Sequence, residues 1–431
     1  MPCARGDTLS VRQAERRLHP PTQVRLLLLA ITLVPLTART EPELPGPLRV
    51  EQVVALAREH RSEVLASRAR LRAAAQRPAI VSALDEPVVS ASLDHLPFAL
   101  HGVDASLTVE QTFPLSRVRG HRERAAQADV RRERANTQRV ELDVELDAAE
   151  AFWMLAQIRA NAEITQKQHG LAEQLVAAAL ARYSTNTGAQ SDVLRAQVDV
   201  ARFDAERRAL AAEIRGAEIM LNTSLARDVD ASVPELDTTV SDAAPPTPEH
   251  IERAARTQRP ELRAGRAEVE RAEADVRVMR SMYAPMAMIR TGPAYTMTDG
   301  PGWMVMVGIS VPIWRGKLRA GVAEARAMVD MTTADLDAMR RMVDGEARGA
   351  RETIVATRER YVALRDTIVP LAQRAIAPTL AAYAAGQVPL VSVIEMTQAL
   401  WSSERELVAA RYELGMAWAR LSRASGEETR R

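Results

Sequence analysis

Two stretches of this sequence repeat one another 198 residues apart, so the fold has to accommodate two copies of one unit. "AREHRSEVLASRARL" begins at Ala57 and "ARTQRPELRAGRAEV" at Ala255. Ala57, Arg58, Arg61, Glu63, Ala66, Arg68 and Ala69 return as Ala255, Arg256, Arg259, Glu261, Ala264, Arg266 and Ala267. Pro114 and Pro312 keep that separation, as do Gly188 and Gly386, and the pairs Glu206-Arg207 and Glu404-Arg405. One offset is therefore expected from the first helix to the last, with repeat halves at 39–236 and 237–431. Residues 223–250 between them, rich in Asp, Thr and Pro, read as a connector with room for one short helix. Thr247-Pro248-Glu249 is a helix start: an N-cap hydroxyl, proline in the first turn, and an acid beside the positive helix end.

Each half has the same internal order. A helix of about 30 residues comes first, near 48–78 and 248–281. Short alternating segments follow: "PVVSASL" and "ASLTVEQTF" in a β-hairpin at about 87–113, and "PMAMIRT" and "GWMVMVGISV" in another at about 285–312. The last is the clearest strand, with Trp303, Val305, Val307, Ile309 and Val311 on one face and Met304, Met306, Gly308 and Ser310 on the other. Past Pro114 and Pro312 the period changes to that of helices. From Ser116 to about Tyr183 the chain has no proline, and some 65 residues at 1.5 Å each make a helix of roughly 100 Å, too long for a compact core. Helical hairpins are expected over about 116–222 and 315–424. Leu400, Leu407, Leu414 and Leu421 mark a seven-residue seam in the last helix.

Charge and cysteine narrow the function classes. The 57 basic and 56 acidic residues leave a net charge of +1, which gives no electrostatic case for nucleic acid. The cluster Arg117, Arg119, Arg122, Arg124, Arg131, Arg132 and Arg134, interleaved with Glu123 and Glu133, reads as a solvated helix face. Cys3 is the single cysteine, so neither a disulfide within the chain nor a thiolate cage can form. Arg25 precedes about 13 mostly apolar residues ending near Ala38, the pattern of a signal peptide over 1–38. No later run is long and apolar enough for a membrane helix, although barrel strands leave a weaker signal.

Two hairpins per chain cannot close a barrel. Yet Phe98, Phe113, Tyr283, Tyr295, Trp303 and Trp314 fall within the hairpins or at their edges, as interfacial girdles require. If the strands lie in a membrane their edges must be eliminated, and a closed trimer would supply twelve. The alternative, a soluble periplasmic coiled-coil scaffold capped by a small sheet, places the same aromatics in a core.

The order of signal, helix, hairpin, "QTFPL…RGHRERAAQADV", long helix, "ARYSTNTGAQSDVLRAQ" and return helix, repeated once, resembles the TolC-type outer membrane efflux protein family across the whole mature chain. The resemblance implies a mainly α fold with membrane β: long coiled-coil hairpins form a trimeric α-barrel continuous with a 12-stranded β-barrel, four strands per protomer. The strand–helix junctions Pro114 and Pro312 carry the chain from membrane to tunnel wall. Implied with the family are a homotrimer in outer-membrane lipid with a long periplasmic portion, a periplasmic adaptor and an inner-membrane RND-type pump, with no cofactor. Tyr183, Thr187, Gly188, Ala189, Gly386 and Gln387 would be the adaptor-docking tips. Asp192 and Tyr383 match the family's gate, while its basic position falls on Val388 and its following acids on Ser392 and Glu395, so only Glu395 could supply a ring of charge. A type I secretion outlet is the near alternative.

No HxxxH, HExxH or GxSxG pattern, phosphate-cradling loop or nucleophilic cysteine supports catalysis, and no metal site is assigned. His95 and His101 could meet across a loop. Met279, Met282, Met286, Met288, Met297, Met304 and Met306 cluster around the second hairpin. Thioethers are soft ligands suited to Cu(I) and also ordinary fillers of apolar surface. "GWMVMVGISVPIWRGKLRAGVAEA" resembles the heavy-metal branch, which inclines the reading to export of metal cations over drugs.

Overall fold

The computed structural model describes residue 44 and residues 46–94 and 104–427. The signal segment, Cys3, His95, Phe98 and His101 lie outside the described residues.

Each repeat opens with two helices where one was expected: α1 (Val50–His60) and α2 (Ser62–Ser82), then α5 (Pro248–Gln258) and α6 (Pro260–Ser281). The breaks fall at Arg61 and Arg259, both with extended backbone. Pro260 forces this at Arg259, because a proline disfavours helical geometry in the residue before it. Arg61 precedes a serine and takes the same shape, held by ion pairs to Glu63 at 2.7 Å and Asp147 at 3.2 Å. Arg259 makes the equivalent pairs to Glu261 at 2.9 Å and Glu346 at 2.8 Å, and also caps the last helix by donating to the carbonyls of Arg423 and Ala424.

After the sheet strands β1 (Val88–Asp94) and β2 (Asp104–Pro114) comes α3 (Val118–Ser184), 67 residues without interruption. α4 (Gln190–Ser224) returns. The second repeat gives β3 (Met286–Thr296), β4 (Gly300–Ser310), α7 (Arg315–Ala363), a π turn (Leu364–Ile368), α8 (Val369–Ala384) and α9 (Leu390–Ser425). The connector holds no helix; it runs extended, making one parallel bridge between Leu48 and Leu236. Its carbonyls are taken by arginines and a tryptophan from the helices. Arg159 donates to Pro234 and Val233, Arg358 to Asp242, Arg351 to Pro246, and Trp418 to Ser241.

The single offset does not survive to the end of the chain. At the helix tips the backbone of 185–189 superimposes in pattern on 385–389, an offset of 200. Left-handed Asn186 (φ 58°) therefore matches left-handed Gly386 (φ 75°), and Gly188 has no glycine partner. Burial agrees: Val193 and Val393, Leu210 and Ala410, Ala217 and Ala417, and Leu221 and Leu421 are buried pairs at 200. The π turn, whose i→i+5 bonding accommodates an extra residue, interrupts only the second repeat's long helix. Glu206-Arg207 and Glu404-Arg405 are accordingly not structural equivalents.

Two apolar clusters hold the helices together. One joins α1, α3 and α4 around Phe152, Trp153 and Leu155; the other joins α5, α6, α7 and α9 around Leu262, Ile354, Leu414 and Leu421. Leu400, Leu414 and Leu421 of the seam are buried and Leu407 packs against the second cluster. Gly415 lies flat beneath the Trp153 indole, where a Cβ would enter the ring. The arginine cluster on α3 is not wholly solvated: Arg131 and Arg132 pair with Glu270 and Glu268 of α6 at 2.5 and 2.7 Å, and Arg119 donates to the Ser82 carbonyl.

Gly415→Ala should cost about 1–3 kcal/mol, because a rigid indole cannot yield to the added methyl; an unchanged Tm would refute that packing. Burial alone would raise the Glu261 carboxyl, but Arg423 and Arg259 outweigh it and hold it below its usual value. Its contribution is present above the unfolded value of about 4.3 and is lost as pH falls through the lower folded one. Glu261→Gln should lower Tm at neutral pH and show a shallower further loss below about pH 4; parallel Tm–pH curves would count against the network.

Candidate functional site

Two places carry the functional expectations: the helix tips and the sheet. At the first tip, the amides of Thr187 and Gly188 donate to the Arg182 carbonyl at 2.9 and 3.0 Å, closing the turn after α3. Gly188 sits so near Arg182 that a Cβ would meet its Cβ at 3.0 Å, which explains the glycine. At the second tip Gly386 and Gln387 donate to Tyr383 and Ala382 at 2.9 Å. Tyr183, Thr187, Ala189, Gly386 and Gln387 are exposed and Gly188 half-buried. Leu180, Leu194, Val198 and Val391 beside them present apolar side chains to solvent.

Tyr183 and Tyr383, alike in sequence, are placed oppositely. Tyr183 is 44% exposed; Tyr383 is 1% exposed within a small core of Leu175, Ala196, Leu390, Val393 and Ile394. The two tips are joined by Arg182. Its guanidinium lies 4.7 Å above the Tyr383 ring and donates to the Tyr383 carbonyl at 2.9 Å and the Thr187 carbonyl at 3.0 Å. The Tyr383 hydroxyl is buried and has no hydrogen-bond partner among the described residues. Burial, and then the Asp192 carboxylate nearby, push this phenol up; Arg182 opposes them. Asp192 and Tyr383 are thus brought together, whereas Glu395 stands exposed on α9. Val388 packs against the tip core, where a charged side chain would be buried. The cation that does lie beside Tyr383 is Arg182, a residue that reading only the stretch after Tyr383 overlooks. Its sequence mark is its place immediately before Tyr183.

The four strands form one antiparallel sheet in the order β1-β2-β3-β4. Its register separates most apolar from most polar side chains, with Gln111 and Thr291 on the apolar face and Val88 on the other as exceptions. One face carries Val89, Leu107, Val109, Ile289, Val305, Val307 and Ile309, each 42% or more exposed. Tyr295 and Trp303 stand on this face at the end away from the helices and Phe113 at the helix end, near exposed Trp314. The opposite face carries Ser90, Ser92, Ser106, Thr108, Glu110, Thr112 and Arg290, with Glu110 and Arg290 ion-paired across β2 and β3. β3 runs five residues past its expected end at Thr291, through Gly292 and Pro293. Pro293 has no N–H to give, and the β2–β3 pairing opens opposite it, between Ser106 and Val109. Gly292 lies against the Leu107 carbonyl, leaving no room for a Cβ.

Residues 253–427 match the family described as outer membrane efflux protein. The match runs from within α5 to the end of α9 and so spans most of the second repeat. A relative of the whole arrangement, outer membrane efflux protein BepC of Brucella suis biovar 1, is 24% identical over 315 residues, covering 71% of this chain and 68% of its own. The outer-membrane channel OprN has the same fold with a TM-score of 0.76 at 20% identity, over 88% of this chain and 90% of that one. CusC has it with a TM-score of 0.78 at 14% identity, over 88% and 92%. The chain thus combines a segment that matches this family with the fold of the outer-membrane channel OprN.

Arg182→Ala should let protease cut at the two tip turns on the order of tenfold faster, the equivalent of one charge-assisted hydrogen bond. Arg182→Lys should recover part of this, having charge without the planar fork. Equal cleavage rates in limited proteolysis would show that Arg182 does not join the tips.

Proposed function

We propose that three copies of this chain close their sheets into one twelve-stranded barrel in the outer membrane and their helices into a tunnel beneath it. The assembly is the passive exit duct of an efflux system, and a periplasmic adaptor and an inner-membrane pump supply its cargo and driving force. The observation that carries this reading is the sheet register. One face is mostly aliphatic and aromatic and exposed, the other carries the hydroxyls and charges, and among the described residues β1 and β4 each leave an edge unpaired. In hydrocarbon such edges are expensive, and closure through further copies removes them. A soluble scaffold would instead have to bury the apolar face, whose side chains are exposed among the described residues.

In this reading the proline junctions mark the membrane surface. Beyond Pro114, the last residue of β2, Ser116 Oγ accepts from the Val118 amide as α3 begins. The exposed tips around 185–189 and 385–389 face the adaptor, their solvent-exposed leucines and valines giving it an apolar surface. Arg182 holds the two tips of one protomer together, and Asp192 with Tyr383 lies at the tunnel mouth.

Fractionation of expressing cells should place the protein in the outer membrane. Light scattering in detergent should give a mass near three times the 47.3 kDa chain. A water-soluble monomer or dimer would overturn the duct.

A further inference from the structure

The sheet face opposite the apolar one is not uniformly polar. On β1 and β2 it carries mainly hydroxyls and acids, with Val88 the aliphatic exception, but on β3 and β4 it carries Met286, Met288, Met304 and Met306 alongside Arg290 and Ser310. The duplication sharpens the contrast. At the 198-residue offset that holds through the hairpins, Met288, Met304 and Met306 stand where the first repeat has Ser90, Ser106 and Thr108. Three of the four therefore replace hydroxyls, while Met286 stands where the first repeat has Val88; Met286 and Met306 are 37% and 43% exposed, on the side turned away from the apolar face.

Their neighbours leave the thioethers free to meet. Met288 is opposite Gly308 and Met304 opposite Gly292, so neither faces a side chain across the β3–β4 ladder. Met288 lies over Gly308, where an added Cβ would meet its methyl at 2.9 Å. Met306 is opposite Arg290, whose guanidinium is drawn to Glu110 on the other side. Along the sheet the order is Met286, Met288, diagonally to Met306, then Met304, with steps on the order of 7 Å. Three rotatable bonds let neighbouring side chains across such a step bring their sulfurs to one ion.

We propose that this face is a ladder of two-thioether stations for a soft monovalent cation, Cu(I) or its congener Ag(I). Thioethers select such ions over Zn(II), Mg(II) or Na(I), and two-coordinate binding suits their filled d shell. Each step exchanges one sulfur ligand for the next without a change of oxidation state. The proposal rests on the duct reading, which makes this face the barrel wall along the exit path, and it assigns the duct a cargo class.

The test uses the full-length protein purified in detergent and chloride-free nitrate buffer, sized by light scattering and titrated calorimetrically with Ag(I). Wild type should bind at least one silver ion per protomer, and zinc should give no comparable binding. M286L/M288L/M304L/M306L, close to isosteric, should lose silver binding, and M306L alone, which removes the middle rung, should weaken it tenfold or more. M328L/M331L, on α7 outside the sheet, should bind as wild type does. Silver binding retained by both M306L and the quadruple variant, or equal affinity for zinc, would overturn the ladder. A correctly sized trimer that ignores silver would overturn the ladder alone, whereas absence of a trimer would overturn the duct and the ladder with it.

Discussion

In an extended strand successive side chains leave on opposite sides, and the rest of this molecule depends on how strictly β1–β4 obey that alternation. A one-residue slip in any strand would carry valines to the polar side and serines to the apolar side. The in-register rows Val89–Val109–Thr291–Val305 and Phe113–Ala287–Ile309 show no such slip. Even the one interruption, opposite Pro293, opens hydrogen bonds without shifting the faces, because Gly292 lets β2 stay close. Among the described residues the sheet consequently has an exposed apolar side and two edges without a pairing strand.

The helices solve a different problem. A 67-residue helix has no compact core to wrap, and its stability comes from neighbours along its length. Small residues let those neighbours approach: Ala148, Ala149 and Ala156 lie in the first cluster, Ala347, Ala410 and Ala417 in the second, and Gly415 takes the Trp153 ring directly. Arginine performs the complementary task. It satisfies carbonyls that no regular element pairs, at the helix breaks through Arg259 and along the connector through Arg159, Arg351 and Arg358. That is why so basic a chain is also so acidic, and why its charge reads as internal bonding rather than as a surface for nucleic acid.

Long helices, strand pairs and the duplication were legible because each depends on a pattern within one segment. What escaped depends on partners far away or on hydrogen bonding that no residue type announces. The break at Arg61 has no proline to mark it and follows from Glu63 and Asp147. β3 continues through Pro293, although proline cannot donate to a ladder, because its partner strand leaves a gap there. Arg182 and Tyr383 are 201 residues apart, and only the folded tips bring this guanidinium from the other repeat over the Tyr383 ring. The π turn leaves no composition signature at all; its extra residue takes the repeat offset from the 199 of Val144 and Val343 to the 200 of the tips, invisible when one offset is assumed.

That drift has a consequence for symmetry. Two identical repeats in each of three chains would give a tunnel wall with six equivalent arms. In the proposed trimer, the extra residues in one arm of each chain, with Tyr383 sequestered at its end where the other arm shows Tyr183 to solvent, would reduce six to three. A partner docking on such a trimer would meet alternating, chemically distinct ends, each free to diverge from the other.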